Sequence, residues 1–407
     1  MAQSFDTIII GAGMVGTTIA CLLAKQGLTV ALIDKNPLPK WPGPATISSP
    51  ASRVSALNHG SVSILSHIDT WPAVQNKSAY PYEKMEVFEA NSLSTLQFDA
   101  EQTGFKELGH IIENAAVVTT HLERLSQNYS VEIFDSREVS QFHNKDDCIQ
   151  ITLSSGQPIE GSLVIGADGA NSPVRGWLDT EIDTHDFQQQ AIVAKIQFEH
   201  GHQNTAWQCF LGTGPIAMLP MEDHCCSMVW SSDNDVAMSI AECPDEAFLD
   251  QINAIFRSRL GRALQSGERR MFPLFHQHAK KYVGKRSVLI GDAAHVTHPL
   301  AGLGANIGLQ DAAALAEVIA DAKSQRRNIG NHSVLRRYER WRKGENARVL
   351  LLMRGIKSVF AQSDPGFAML RQGGLHVVNQ FPELKNQLSR HAMGIAGDLP
   401  AICRTRR

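Results

Sequence analysis

The apolar positions change period twice near the start of the chain. Phe5–Ile10 ends in a run of isoleucines, which reads as a strand buried on both faces. Met14–Gln26 spaces its apolar residues as a helix does, and Leu28–Asp34 is a second buried strand that stops at an acid. The opening is therefore β-α-β. A loop rich in proline, glycine and serine follows from Asn36 to Arg53, too long for a simple connection.

Val54–Ile68 is expected to be helical, Met85–Ala100 to have strand character and His110–Gln127 to be helical again. Short strands are expected at Val131–Phe134 and Ile149–Leu153, and a buried one at Ser162–Asp168. From Ile182 to Trp230 short apolar segments alternate with turn residues, the pattern of an antiparallel sheet. A helix over Asp245–Arg259 comes next, and Ser287–Asp292 restores the buried-strand pattern. The last seventy-five residues mix basic and apolar groups at helical spacing.

Composition narrows the class. The chain has 407 residues, enough for two coupled cores, with 43% apolar and 19% charged residues. A formal charge of -3 argues against a nucleic-acid partner. The 7 cysteines form no CxxC pair, so neither a disulfide framework nor a metal site is expected, and a reducing compartment fits. The first apolar run ends at a glycine loop rather than at a cleavage site, and no apolar stretch reaches roughly 18 residues. The expected location is cytoplasmic.

Gly11-Ala12-Gly13-Met14-Val15-Gly16 lies between the first strand and helix. In such a fingerprint Gly11 permits a tight turn, Gly13 lets the backbone approach a pyrophosphate, and Gly16 lets helix and strand pack closely. The helix N-terminus favours the phosphates, and Asp34 stands where an acid accepts hydrogen bonds from a ribose. FAD and NAD share this fingerprint, so it does not choose between them. The chain has no second GxGxxG.

Two later glycine-acid turns do choose. Val164–Arg175, "VIGADGANSPVR", ends a strand at Asp168-Gly169, and "LIGDAAHVTHPLAGLGANIGLQDA" ends another at Gly291-Asp292. With "GAGMVG" they resemble the ordered motifs of single-component (group A) flavoprotein hydroxylases. That resemblance implies tightly but non-covalently bound FAD, NADPH or NADH as a transient co-substrate, and O2. It implies FAD contacts from Asp292 to the ribityl chain and from Arg53, with Asp168 and the loop and helix start Pro299, Gly302, Leu303, Gly304, Ala305 and Asn306 completing the site. Arg175 serves either the diphosphate and NADPH or a structural salt bridge. Asp168 and Asp292 could also act simply as local caps. The common Gly-Gln-Gly of the family is Gly302-Leu303-Gly304 here, which removes a polar side chain near the flavin.

Further segments, among them "RVSALN", "GHIIENAAV" and "FPELKNQLSRHAMGIAGDLP", extend the resemblance over nearly the whole chain to the ubiquinone-biosynthesis hydroxylases. The fold expected is α/β plus α+β: a Rossmann-like FAD-binding domain, an inserted antiparallel-sheet substrate domain and a helical C-terminus. Residues 1–75, 106–180 and 271–332 would form the first, 76–105 and 181–270 the second, and 333–407 the third. The implied reaction hydroxylates the ring of a polyprenylated phenol or benzoquinol through a flavin C4a-hydroperoxide, in a site that must exclude water.

Trp207, Phe210, Ile216, Met218, Leu219 and Trp230 are candidate wall residues, with Pro220 at a turn beside the pocket; ordinary sheet core is the competing reading. No catalytic acid or base stands out. His295 and His298 flank the flavin loop, where a capping or core role competes with a chemical one. A lipid-tailed substrate would be met at the inner-membrane surface or through other ubiquinone-biosynthesis proteins. The basic, apolar segment Leu335–Phe360 could serve that contact or pack on the cofactor domain. A homo-oligomer is left open. The competing functions are a flavin-dependent prenyl reductase and a non-catalytic FAD-bound organiser of a quinone-biosynthesis complex.

Overall fold

Parallel strands with unbroken apolar runs have to be covered on both faces, and the first domain shows how. In the computed structural model, which describes residues 2–44, 46–49, 53–90, 95–128, 130–297, 302–361 and 382–404, Gln3–Ile10 lies at the centre of a parallel sheet. Pro158–Gly166 pairs with it on one side and Val30–Ile33 on the other. Ser287–Leu289 and Val131–Phe134 extend the sheet outward in the same sense. Ile8, Ile9, Val30, Leu32 and Val164 are fully buried, and helices Met14–Lys25 and Leu303–Ser324 pack together over them.

A small sheet of Val54–Leu57, Ala79–Tyr82 and Gly109–Glu113 stands beside this domain. Two helical expectations are corrected here. Val54–Leu57 is a strand, and the helix begins only at His59, where Asn58 caps it by accepting the Ser61 N–H. His110–Glu113 likewise belongs to a strand, and the helix runs Asn114–Ser126. Both segments are short apolar runs leading into amphipathic ones, where periodicity alone does not separate strand from helix.

Among the described residues the third sheet has nine strands and is almost wholly antiparallel. Thr205–Leu211, Gly214–Pro220, Cys225–Asp233 and Ile182–Phe198 form its middle. Strand Arg270–Ala279, of which all but Arg270 was grouped above with the cofactor domain, pairs instead along Ile182–Phe198, and His295–Val296 adds to its edge. Met271–Phe275 is an unbroken apolar run containing Pro273 and His276–His278 a polar one, so no period-2 alternation marks this long strand. Helices Asn234–Glu242 and Asp245–Leu260 pack on one face of this sheet, building a second core around Trp207, Met218, Met228, Trp230 and Phe256.

Beyond the sheets, helix His332–Ala361 lies along Leu303–Ser324, and helix Pro382–Ala392 leads to Met393 and Ile395, which pack against Ala100 and Leu108. Among the described residues no helix is long and apolar enough to cross a membrane.

Candidate active site

The three glycines of the first turn occupy three different environments. A Cβ on Gly11 would stand 2.3 Å from the Ala167 carbonyl oxygen, and its φ of +103° is a conformation few side chains adopt. A Cβ on Gly16 would stand 1.8 Å from the Gly11 oxygen. One on Gly13 would meet no protein atom within 4 Å. Gly11 and Gly16 are thus filled in by the protein itself, while Gly13 opens onto free space at the N-terminus of helix Met14–Lys25. No side chain caps that helix. Its first N–H groups are the kind of donor set that receives a phosphate.

Asp34 stands at the end of its strand, half-buried. One carboxylate oxygen accepts the Ala12 N–H at 2.7 Å and the other the Asn36 N–H at 2.8 Å. It therefore fixes the glycine turn, and each oxygen retains acceptor capacity for a hydroxyl.

The two later turns converge on the same place. Ala167 lies against Gly11 and Gly16, and Gly291, at φ +58°, faces the Val15 side chain. Gly308 of the helix Leu303–Ser324 faces Val15 as well, so strand, turn and two helices close around one valine. Asp168 accepts the Val174 N–H at 3.1 Å, adding to the first turn of the short helix Pro173–Trp177, whose N-cap is Ser172. Its second oxygen is buried with no hydrogen-bond partner, and burial raises its pKa against the pull of Ser172, Val174 and Arg175. Arg175 donates to the carbonyls of Ala293 and Ala170 at 3.1 and 2.8 Å. The arginine is engaged in tying one turn to the other.

Arg53 and Asp292, far apart in sequence, come within 3.9 Å, and Asp292 is 42% exposed. Gly302 is left-handed, at φ +61°, and precedes helix Leu303–Ser324 without a side-chain cap; a Cβ there would touch Ala56 at 3.0 Å. A Cβ on Gly304 would meet Thr297 Oγ1 at 3.3 Å, and Ala305 packs on the first core. His298 and Pro299 lie outside the described residues, as does the Leu303 side chain.

Asn306 departs from expectation. Its amide donates to the Ala56 and Gly302 carbonyls at 2.7 and 3.0 Å, while its oxygen accepts from Asn58 N at 2.9 Å and Ser61 Oγ at 2.7 Å. Two donors and two acceptor sites are thereby filled, so the side chain has nothing left for a cofactor. It ties the helix start to the strand Val54–Leu57.

Strand parity reassigns the wall residues. Trp207 pairs with Met218, and Ile216 with Trp230; all four point into the core beneath helices Asn234–Glu242 and Asp245–Leu260. They are ordinary sheet core. Phe210 and Leu219 alternate to the other face, where Val193, Ala217 and Val229 join them, half-buried. Phe272, opposite Ala191 on that face, is 46% exposed. Pro220 is buried at the strand end opposite Cys226.

His295 is neither free nor a cap. It sits in a buried network that the sequence reading missed, built on Asp311, Arg342 and Asn346. The available signal was an acid, Asp311, directly ahead of the apolar run Ala312–Ala316 in "GLQDAAALAEVI", and the i, i+4 spacing of Arg342 and Asn346.

The residues present fit an FAD. Gly13 and the uncapped helix start offer room and donors for a diphosphate, and Asp292 and the Asp168 carboxylate offer acceptors. Comparison with known proteins agrees. Residues 4–350 match the family described as FAD binding domain. The ubiquinone biosynthesis monooxygenase COQ6 of Danio rerio is 34% identical, over 96% of this chain and 90% of the relative. The 3-demethoxyubiquinol 3-hydroxylase of Escherichia coli is 32% identical, over 97% and 99%. The crystal structure of p-nitrophenol 4-monooxygenase PnpA from Pseudomonas putida superposes with a TM-score of 0.77 at 17% identity, covering 97% of this chain and 99% of that one; it shares the fold. Motifs, architecture and relatives coincide, and the chain belongs to the FAD-dependent ubiquinone-biosynthesis hydroxylases.

Proposed function

We propose that the chain hydroxylates the ring of a polyprenylated phenol or benzoquinol in ubiquinone biosynthesis, consuming NAD(P)H and O2. One oxygen atom enters the ring and the other leaves as water. The observation that carries the reading is the convergence of three distant turns. The Gly11, Asp168 and Gly291 segments meet around Val15 and Ala167, facing one uncapped helix start. The relatives supply the substrate class, since two of them are named for ubiquinone biosynthesis and for demethoxyubiquinol hydroxylation.

Bound FAD would supply the redox chemistry, carrying reducing equivalents from NAD(P)H to O2. Binding it falls to this chain's own residues. The N–H groups at the start of helix Met14–Lys25 would hold the diphosphate, and Asp34 a ribose. Asp292 and Arg53 would flank the ribityl chain. The start of helix Leu303–Ser324, with Gly302 left-handed so that the backbone turns sharply, would direct its N–H groups at the negative edge of the ring system. The sheet face carrying Phe210, Ala217, Leu219 and Val229 would supply apolar cover, keeping water from the reacting carbon. No acid or base is assigned.

The test is turnover. Purified protein with FAD, NADPH and a short-tailed demethoxyquinol should consume oxygen in step with a product heavier by one oxygen atom. NADPH oxidation unaffected by the quinol, with no such product, would overturn the reading.

A further inference from the structure

We infer that Asp311 is a positioning residue for the cofactor turn, acting through Gly291 and His295 and held from behind by Arg342. The inference rests on the FAD assignment above. Asp311 lies in helix Leu303–Ser324 and is completely buried. One carboxylate oxygen accepts from His295 Nε2 at 2.5 Å and from the Gly291 N–H at 3.3 Å. The other accepts from Arg342 Nε at 2.8 Å and from Asn346 Nδ2 at 3.2 Å. Arg342 is 2% exposed and also donates to Asn346 Oδ1 and Gln310 Oε1, at 2.9 and 3.3 Å.

Helix-to-helix adhesion does not require this arrangement. Replacing a buried ion pair by well-packed apolar residues is often neutral or stabilising. The first core already joins the two long helices through Leu309, Leu315, Leu335 and Tyr338. What the carboxylate adds is direction. Its oxygens bind partners on separate segments: the Gly291-Asp292 turn, the strand His295–Val296 and the helix His332–Ala361. The carboxylate itself rides on the helix whose first turn faces the proposed flavin. The turn that carries Asp292 and the helix start beginning at Gly302 are thereby held in one register from underneath. Neither Asp311 nor Arg342 has a surface to offer the cofactor, so their effect passes through Asp292 and the helix start.

The layers around the network support a fixed geometry. Tyr282 stands 6.1 Å from the His295 ring, centroid to centroid, and its hydroxyl meets His278 Nε2 at 2.8 Å. The Tyr282 N–H donates to Glu339 Oε1 at 2.7 Å, and the Tyr338 hydroxyl to the Leu289 carbonyl at 3.0 Å. Helix His332–Ala361, outside the sequence-based cofactor domain, is in this sense part of the cofactor site.

The experiment compares full-length Asp311→Asn, His295→Leu and His295→Gln with the unaltered protein. FAD affinity is measured by titrating apoprotein, and the visible spectrum and midpoint potential are measured on the reconstituted protein. Asp311→Asn and His295→Leu should weaken FAD binding at least tenfold and shift both the flavin bands and the potential. His295→Gln, which keeps a donor for Asp311, should recover most of the loss. If Asp311→Asn does not fold, the His295 pair still decides, because it disturbs a single arm of the network. Affinity within twofold of the unaltered protein for both His295 variants, with unchanged bands and potential, would overturn the inference even if their melting temperatures fell. Unaltered protein that failed to bind FAD would instead overturn the cofactor assignment beneath it.

Discussion

Replacing Gly13 by alanine separates a ligand-binding glycine from a structural one. The new methyl group meets no protein atom within 4 Å, and Gly13 has φ -71°, which alanine adopts without strain. Alanine is the poorer N-cap by up to about 1 kcal/mol, and its lower unfolded-state entropy returns about 0.4–1 kcal/mol. The net change in apoprotein stability should therefore lie within about 1 kcal/mol. Gly16→Ala is the opposite case. Its methyl group would sit 1.8 Å from the Gly11 oxygen, and only a backbone shift relieves that, at about 3 kcal/mol or more.

FAD sees the Gly13 change differently. If the diphosphate lies over Gly13, the methyl group stands between it and the helix N–H donors. Losing two charge-assisted hydrogen bonds at about 1.5 kcal/mol each is about 3 kcal/mol, or roughly a hundredfold in affinity. Thermal unfolding of the apoprotein and FAD titration by fluorescence quenching measure the two quantities on one preparation. Gly13→Ala that melts normally and binds FAD within threefold of the unaltered protein would refute the placement of the diphosphate.

Other consequences follow from burial and charge. Asn306→Ala orphans the buried Asn58 N–H and the Ala56 carbonyl; at about 1–3 kcal/mol each, it should lower unfolding free energy in denaturant titration by about 2–6 kcal/mol. Met218→Ala, on the helix-packed face, should destabilise by about 2–5 kcal/mol in the same assay. Leu219→Ala, on the half-buried opposite face, should destabilise less and mainly raise KM for the tailed quinol; the reverse pattern would return the walls to the other face. Burial holds His121 down to about 3, His110 to about 4 and His278 to about 4. Their unfolded forms bind protons first, so stability is lost as pH falls from about 6.5 toward 4. Proton uptake on unfolding at pH 5, measured by calorimetry in buffers of different ionisation enthalpy, should exceed that of His121→Gln.

Motifs bound to a strand end were legible because backbone geometry dictates their residues. Gly11, Gly16 and Gly291 each sit where a Cβ would press on a neighbour or where φ is positive, and the acids Asp34, Asp168 and Asp292 follow strands whose apolar runs are unmistakable. Strand-to-helix joints were less clear. Val54–Leu57 and His110–Glu113 are too short for period to separate strand from helix, and only Asn58, with its bond to the Ser61 N–H, marks one boundary.

The direction of the sheet faces was not legible at all. Trp207, Met218 and Trp230 look like pocket walls by size, yet which parity faces the flavin depends on where helices Asn234–Glu242 and Asp245–Leu260 dock. That docking is tertiary information. Asp311 illustrates the same limit from the polar side. Its partners lie 16, 20, 31 and 35 residues away on three other segments, so an acid in an alanine-rich helix acquires a role only when the chain closes around it. Residues that bind through the backbone declare themselves locally, whereas residues that orient other residues do so only in three dimensions. A mutational scan confined to residues expected to touch the cofactor would therefore pass over Asp311 and Arg342, which orient those residues from underneath.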